Sequence, residues 1–174
     1  MERSSVEFNK DLHDDLVLMG GCDQRLRKKR DLTDEDIKEI EEVDDINIET
    51  LKKIINQYGW PGISLVGEDG ARVAWLIAQH ADKEVEFQRS CLEELKKAVE
   101  RGEAKKEFVA FLTDRVLVNS GLKQIFGTQF HKDETGEYVP RPIEDMDGLE
   151  ARRSEYGLDS FKEYSEGFSK FMKS

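Results

Sequence analysis

Apolar residues recur three and four positions apart along most of this chain, which is the spacing of amphipathic helices. Leu12, Leu16 and Met19 begin such a stripe within residues 1–30, the predicted N-terminal helix region. Gly20-Gly21 predicts a kink or a break there, because glycine disfavours a helix interior. Similar stripes predict helices over residues 71–81, 83–101, 105–120, 146–156 and 160–171. The pattern therefore predicts a mostly α fold, a helical bundle.

A further helical segment is predicted to begin at Thr33, a residue type suited to an N-cap. Asp36, three residues later, matches a capping box only in part, because Glu or Gln is usual at that position. The first half of this segment, Asp34–Asp45, is strongly acidic. Asn47 supplies a second start signal, and Gly59 predicts the end of the helix.

Two regions depart from the helical period. Residues 58–70 hold four glycines and one proline and predict a loop, in which residues 63–66 are a candidate extended stretch. Residues 124–143 flank the turn-like Asp133–Gly136 with two short runs and predict a β-hairpin or a folded loop. The sequence has no visible repeat or low-complexity linker. Because 174 residues suit one domain, residues 1–174 are predicted to form a single helical domain.

The charge and composition of the chain narrow its function classes. A net charge of −11 argues against general nucleic-acid binding and would steer basic partners toward the protein. Apolar runs all fall short of the ~20 residues that a membrane-spanning helix needs. The N-terminus is acidic rather than hydrophobic, and two cysteines do not make a disulfide framework. We therefore expect a cytoplasmic protein that binds neither nucleic acid nor membrane.

Four polar residues interrupt the apolar stripes of four different predicted helices: Asp23, His80, Gln88 and Arg115. A polar group on a buried face is costly unless it is hydrogen-bonded or paired. Because bundle interiors often hold ligand sites, the four together predict one shared polar pocket. Each residue also has a purely structural interpretation. His80 and Gln88 could be satisfied core residues, and Arg115 could anchor a helix end or pair with Asp23. Asp23 could also form an ordinary surface pair with Arg27.

The usual sequence motifs for phosphate loops, dinucleotide folds, zinc proteases, calcium loops and serine hydrolases do not occur in this chain. The three histidines also lack the mutual spacing of a zinc site. We therefore expect no metal and no cofactor.

Short strings of polar and aromatic residues follow one another between Asp23 and Leu158. They are Asp23-Gln24 with Arg27, Tyr58–Pro61, Leu65–Gly67, Gln79–Asp82, Asp114-Arg115, Gln124–Gln129, Pro142–Asp145 and Arg152-Arg153 with Gly157-Leu158. Their order and spacing resemble an uncharacterised bacterial family, a domain of unknown function whose pattern reads DQ..R, GWP, VG, QHAD, DR, Q.YGTQ, P.P.ID and RR...GL. This chain departs from that pattern at Phe126, where the family has tyrosine, and at Gly20-Gly21, where helix-forming residues are expected.

The resemblance implies candidate ligand-binding positions but no reaction, because the family has no established activity. The polar positions that match its pattern are Gln24, Arg27, His80, Asp82, Asp114, Arg115, Gln124, Thr128 and Gln129. Trp60, within the Trp-Pro pair, could form a rigid apolar wall of a pocket or could simply plug the helix ends.

Two functions follow from these residues. The first is a small-molecule-binding protein, in particular a metal-independent hydrolase or group-transfer enzyme. His80 would be its general acid or base, oriented by Asp114 or Asp82, and Arg115 would hold an anionic group. Glutamine side chains would bind amide groups of the ligand.

The alternative is an acidic protein-interaction module, of the kind that immunity proteins provide. It would bind a basic protein partner through the exposed carboxylates of Asp34–Asp45.

Overall fold

The computed structural model describes residues 7–29 and 31–173. Within them the chain forms seven α-helices and one two-stranded antiparallel sheet. In chain order the elements are α1 (Lys10–Arg27), α2 (Asp34–Tyr58), α3 (Ile63–His80), α4 (Val85–Glu100), α5 (Lys106–Asn119), β1 (Phe130–Lys132), β2 (Tyr138–Pro140), α6 (Leu149–Glu155) and α7 (Phe161–Lys173). The predicted mostly α fold with a small β-hairpin is confirmed. The chain divides into two compact units, one ending at Ala104 and the other beginning at Lys105.

Helix α1 of the first unit packs against α2 and α3, and α3 packs against α4. The predicted break at Gly20-Gly21 is wrong, because α1 continues through both glycines. A Cβ at Gly20 would lie only 2.5 Å from Cγ2 of Val73 in α3. Gly20 therefore allows the two helices to approach closely, and their packing outweighs the low helix propensity of glycine.

Helix α2 is one continuous helix of 25 residues. Thr33 and Asp36 form a complete capping box, because each side chain accepts a hydrogen bond from the other residue's backbone N–H. The shorter aspartate therefore serves where glutamate is usual. Asn47, predicted as a second start, is buried in the middle of the helix, and Gly59 ends the helix with a φ of 76° as predicted.

The loop predicted over residues 58–70 is wrong, because α3 already begins at Ile63 and residues 63–66 are helical rather than extended. Glu103 stabilises this start. Its carbonyl accepts from the Ile63 N–H at 3.0 Å, and its carboxylate accepts from the Ser64 N–H and hydroxyl at 2.7 and 2.6 Å. A side chain 39 positions away thus caps the helix, so local sequence could not predict it.

The helix bends at Gly67, whose φ of 70° lies in the left-handed region. Two groups from the start of the chain bond to backbone carbonyls next to this bend. The Asn9 N–H donates to the Leu65 carbonyl at 2.8 Å, and Nδ1 of His13 lies 2.7 Å from the Val66 carbonyl oxygen. The bend therefore keeps its polar groups hydrogen-bonded.

The second unit contains the hairpin predicted within residues 124–143. Phe130 pairs with Pro140 and Lys132 with Tyr138. Asp133 closes the turn as predicted, because its carboxylate accepts from the Thr135 hydroxyl at 2.7 Å.

Helix α7 packs against this hairpin through part of its aromatic stripe. The rings of Phe130 and Phe168 stack with their centroids 4.4 Å apart. Phe171, the last residue of the apolar stripe that predicts a helix over residues 160–171, is 74% exposed. The last turn of the aromatic stripe therefore stays on the surface.

Candidate functional site

A buried carboxylate, Asp23 of α1, is the centre of a polar cluster in the first unit. Only 3% of Asp23 is exposed, and three side chains donate to its oxygens. Nε of Arg27 lies 2.9 Å from Oδ1, Nε2 of Gln24 lies 2.8 Å from Oδ2, and Nδ1 of His80 lies 3.0 Å from Oδ1. Arg27 also donates through Nη2 to Asp44 of α2. The cluster therefore joins α1, α2 and the last residue of α3.

The partners of Asp23 decide its ionisation. Burial opposes the charged form, but the hydrogen bond from His80, the positive charge of that ring when it is protonated, and the hydrogen bonds from Arg27 and Gln24 outweigh it and hold the pKa of Asp23 well below its usual range. Burial likewise opposes the charge of Arg27, but its bonds to Asp44 and Asp23 raise the pKa of the guanidinium. The cluster is thus an ion-paired network at neutral pH.

This network fixes the tautomer of His80. An ionised carboxylate only accepts hydrogen bonds, so the contact with Asp23 places a proton on Nδ1 of His80. In a neutral imidazole the lone pair then lies on Nε2. A carboxylate that orients an imidazole in this way is a recurring feature of general-base sites.

His80 lines a cleft of about 350 Å³ in the same unit. The lining combines apolar and charged side chains. The apolar residues are Leu32, Ile37, Ile40 and Ile48, and the other lining residues besides His80 are Arg27, Glu41, Asp44, Asp45, Asp82, Lys83 and Glu84. The volume is at the lower end of the ~300–1,000 Å³ typical of ligand pockets.

A second buried aspartate, Asp114 of α5, has a different environment in the second unit. Its carboxylate accepts the backbone N–H groups of Ile125, Phe126 and Thr128 at 2.8 to 2.9 Å, and the Thr128 hydroxyl at 2.9 Å. Burial raises the pKa of Asp114 even though these bonds favour the charged form. Asp114 therefore holds the loop before the hairpin, and its predicted role in orienting His80 stays a prediction.

The two glutamines and Arg115 extend this loop structure. Gln124 donates to the Gln129 and Arg141 carbonyls at 3.0 and 2.7 Å, and its Oε1 accepts from the Gln129 N–H at 2.8 Å. Nη1 of Arg115 donates to Oε1 of Gln129 at 2.9 Å, and Nε2 of Gln129 donates to Thr128 at 3.0 Å. These amides are thus used by the protein itself.

The chain matches a described family over residues 10–170. It belongs to DUF6624, a family of unknown function. No curated protein and no solved structure matches the chain. The sequence-based prediction of a domain of unknown function is therefore confirmed, and the function of this family member has to be argued from its geometry.

In this DUF6624 chain, the predicted site residues fall into three groups. Asp23, Gln24, Arg27 and His80 lie together, and the exposed Asp82 lines the same cleft. Asp114, Arg115, Gln124, Thr128 and Gln129 form the second cluster, in the other unit. Convergence of His80 with Arg115 on one pocket therefore stays a prediction.

The remaining two candidates, Gln88 and Trp60, do not line the cleft. Gln88 is fully buried, and its amide donates to the carbonyls of Ala78 and Gln79 at 3.0 and 3.2 Å, near the end of α3. Trp60 is 5% exposed, so it packs in the interior. Both positions fit the structural interpretation of these residues.

Asp44 is the main residue of the first cluster that sequence reasoning missed. The signal was available, because Asp44 lies four residues after Ile40 and four before Ile48 on the buried stripe of α2. This is the pattern that singled out His80. Asp44 was not selected, because all of Asp34–Asp45 was assigned to one exposed acidic surface.

Arg153 in α6 of the second unit was also missed as a buried cation. It is 1% exposed and donates to the Phe126 and Asp159 carbonyls at 2.5 and 2.8 Å. Its guanidinium carbon lies 5.0 Å from the ring centroid of Tyr164, and burial lowers its pKa. Arg153 thus ties helix α6 to the loop and to α7.

The first cluster also contains atoms that a cation could use. In the described part of the chain, Asp23, Asp44 and His80 offer ligand atoms within 4.8 Å of one another. This oxygen and nitrogen set suits a divalent metal ion. However, Arg27 already bonds to both carboxylates, so a metal ion would have to displace its guanidinium. The expectation of no metal stays a prediction.

Across residues 7–29 and 31–173, no helix is both long and apolar enough to span a bilayer.

Proposed function

We propose that this DUF6624 protein binds a small molecule in the cleft beside His80 and uses the imidazole as a general base. The single observation that carries the proposal is the contact of His80 Nδ1 with the buried, ionised Asp23 at the edge of that cleft. We further propose a metal-independent hydrolysis or group transfer, the reaction classes that need only a positioned base.

The chemistry begins with a proton transfer. Nε2 of His80 takes the proton of a bound hydroxyl group or water, whose oxygen then attacks an electrophilic centre of the ligand. Nδ1 keeps its proton and its bond to Asp23, so the imidazolium forms next to a carboxylate. The proton on Nε2 passes to the leaving group, which restores the neutral ring.

A metabolite screen tests this proposal. Ligands that raise the melting temperature of the wild-type protein are assayed for turnover and for their effect on the His80 ring signals by NMR. We expect His80→Ala to stay folded and to lose turnover by ~10²-fold or more, the usual contribution of a general base. A ligand that His80→Ala converts as fast as the wild type would contradict the proposal.

His13 gives a matched control, because it is another partly buried histidine in the same unit and does not line the cleft. Its Nδ1 bonds to the backbone carbonyl of Val66 rather than to a buried carboxylate, and its Nε2 lies 4.0 Å from the exposed Asp14. His13→Ala should lose stability but keep the turnover of its folded fraction. Equal loss of turnover in both variants would point to a general effect on folding.

The alternative function, binding of a basic protein partner, is favoured by one observation on α2. Ile37 and Ile46 are 45% and 66% exposed among the carboxylates of the helix. Such a surface can pair charge with apolar contact. If it is the functional surface, neutralising Glu35, Glu39 and Glu42 together should weaken binding of a lysine-rich peptide and leave the cleft ligand unaffected.

We also propose a reducing compartment such as the cytoplasm. Cys22 is exposed, Cys91 is buried, and both are free thiols. Burial raises the pKa of Cys91 to about 12, so this thiol stays protonated and unreactive.

A further inference from the structure

We infer that the ligand of the cleft is a small organic amine, bound as an ammonium cation with an apolar body. The inference rests on the proposed function and names its ligand class. It comes from two features of the same cleft, the excess of carboxylates in its lining and the exposed apolar side chains that also line it.

Carboxylates outnumber cations in the lining. Five lining residues are acidic and two, Arg27 and Lys83, are basic. Both cations already bond to carboxylates, since Arg27 contacts Asp23 and Asp44, and Nζ of Lys83 lies 2.9 Å from Glu41. An anionic ligand would meet excess negative charge, whereas a partly enclosed cleft with this lining concentrates cations.

The apolar part of the lining is partly uncovered. Ile40 and Ile48 are buried, while Leu32 and Ile37 are 41% and 45% exposed. Covering these two side chains with an apolar group removes apolar surface from water and therefore favours binding. An inorganic cation cannot do this, but an alkylammonium ion can place its charge against Asp45 and its carbon chain against Leu32 and Ile37.

A divalent metal ion and a lysine of a protein partner are the competing occupants. The metal ion is less favoured, because Arg27 occupies the carboxylates that it would need. The lysine offers the same chemistry as a free amine, an ammonium group on an apolar stem. The volume of about 350 Å³ suits a whole small molecule, so we assign the cleft to a free amine.

The test is an NMR titration of the ¹⁵N-labelled full chain with three probes of similar size: hexylamine, hexanol and hexanoate, all at one ionic strength. We expect hexylamine to give saturable shifts at His80 and Ile37, hexanol to bind more weakly, and hexanoate to give none. Tighter binding of hexanoate would overturn the inference while leaving a binding cleft. If none of the three perturbs these residues, the inference and the proposed cleft both fail.

Matched variants on α2 separate the cleft from the general acidity of the protein. Asp45→Asn removes a charge in the lining, and Glu42→Gln removes one that is exposed outside it. We expect Asp45→Asn to weaken hexylamine binding by about two- to fivefold, the range of a partly exposed ion pair, and Glu42→Gln to leave it unchanged. Ile37→Ser should weaken binding and Ile46→Ser should not. Equal effects within either pair would overturn the inference.

Two further titrations test the other occupants. Mn²⁺ should broaden the NMR signals of His80 no more than the signals of residues beside other surface carboxylates. A lysine-containing peptide should bind more weakly than hexylamine. Selective broadening at His80 that hexylamine does not reverse would show a metal site instead. Tighter binding of the peptide would assign the cleft to a protein partner.

Discussion

The two buried aspartates, Asp23 in the first unit and Asp114 in the second, accept hydrogen bonds from different kinds of donor. Asp114 accepts three backbone N–H groups and one hydroxyl from a single loop. Asp23 accepts only side-chain donors, two of them from ionisable residues, His80 and Arg27. The pKa of Asp114 is raised by burial, and that of Asp23 is lowered because its charged partners outweigh burial.

Under the proposed function, the difference distinguishes a carboxylate that fixes a loop from one that positions a base. Backbone donors fix a loop and leave no group for chemistry. A carboxylate bonded to an imidazole at the edge of a cleft instead fixes the tautomer and orientation of a base. Both aspartates lie in the sequence strings that match the family, and both are buried. Sequence and burial therefore do not distinguish their roles, whereas their hydrogen-bond donors do.

The largest effect should come from the loop aspartate. Asp114→Ala leaves three buried N–H groups and a hydroxyl without their acceptor, so we expect the free energy of unfolding to fall by ~3–4 kcal/mol. Urea denaturation measures it. Asp114→Asn keeps one carbonyl oxygen as an acceptor and should cost less. If Asp114→Ala lowered the free energy of unfolding by less than ~1 kcal/mol, Asp114 would not have this structural role.

Breaking the ion-paired network should cost less. Arg27→Met leaves Asp23 and Asp44 without their shared cation, and we expect a loss of ~2 kcal/mol, below the usual range for a buried pair because Arg27 is 29% exposed. Lys38→Met is the control, since the Lys38–Glu42 pair is well exposed at 3.8 Å and should be dispensable. Equal losses in the two variants would mean that the network does not stabilise the fold.

His80→Ala should separate function from stability. The ring makes one hydrogen bond to Asp23 and its side chain is 17% exposed, so we expect the free energy of unfolding to fall by only ~1 kcal/mol. Ligand binding in the cleft should nevertheless be lost. Melting curves with and without ligand measure both quantities. A destabilisation as large as that of Asp114→Ala would make His80 a core residue.

The smallest effect concerns pH, and its sign should differ between the two aspartates. The lowered pKa of Asp23 gives stability that is present above its ordinary value of 3.8 and is lost as the pH falls toward the folded pKa. The raised pKa of Asp114 lets the folded state take up a proton first, so its contribution rises as the pH falls toward 3.8.

Substitutions reveal these signs. Asp23→Asn should flatten the acid loss of stability, and Asp114→Asn should steepen it. Denaturation curves between pH 7 and pH 3 measure the slopes. Slopes that change in the same direction for both variants would contradict the contrast between the two carboxylates.

Sequence patterns located most of the helices and three of the residues that meet around Asp23. They paired one of these, Arg27, with Asp23, but only as an ordinary surface pair, and they did not pair His80 with Asp23. They assigned Asp114 or Asp82 to orient His80, whereas Asp23 does so from a helix 57 positions earlier. Periodicity identifies which residues face inward. It carries no information about which inward-facing residue of one helix meets that of another.

The sequence by itself determined the helical stripes, the N-cap at Thr33, the turn at Asp133 and the acidic surface of α2. These features depend on residues a few positions apart, whose spacing fixes their geometry. Only the tertiary structure decided that Glu103 caps the start of α3, that α1 and α3 approach closely at Gly20, and that His80 bonds to Asp23. Each of these depends on residues far apart in the chain, and buried polar groups accept whichever partner the packing of the helices brings within hydrogen-bonding distance.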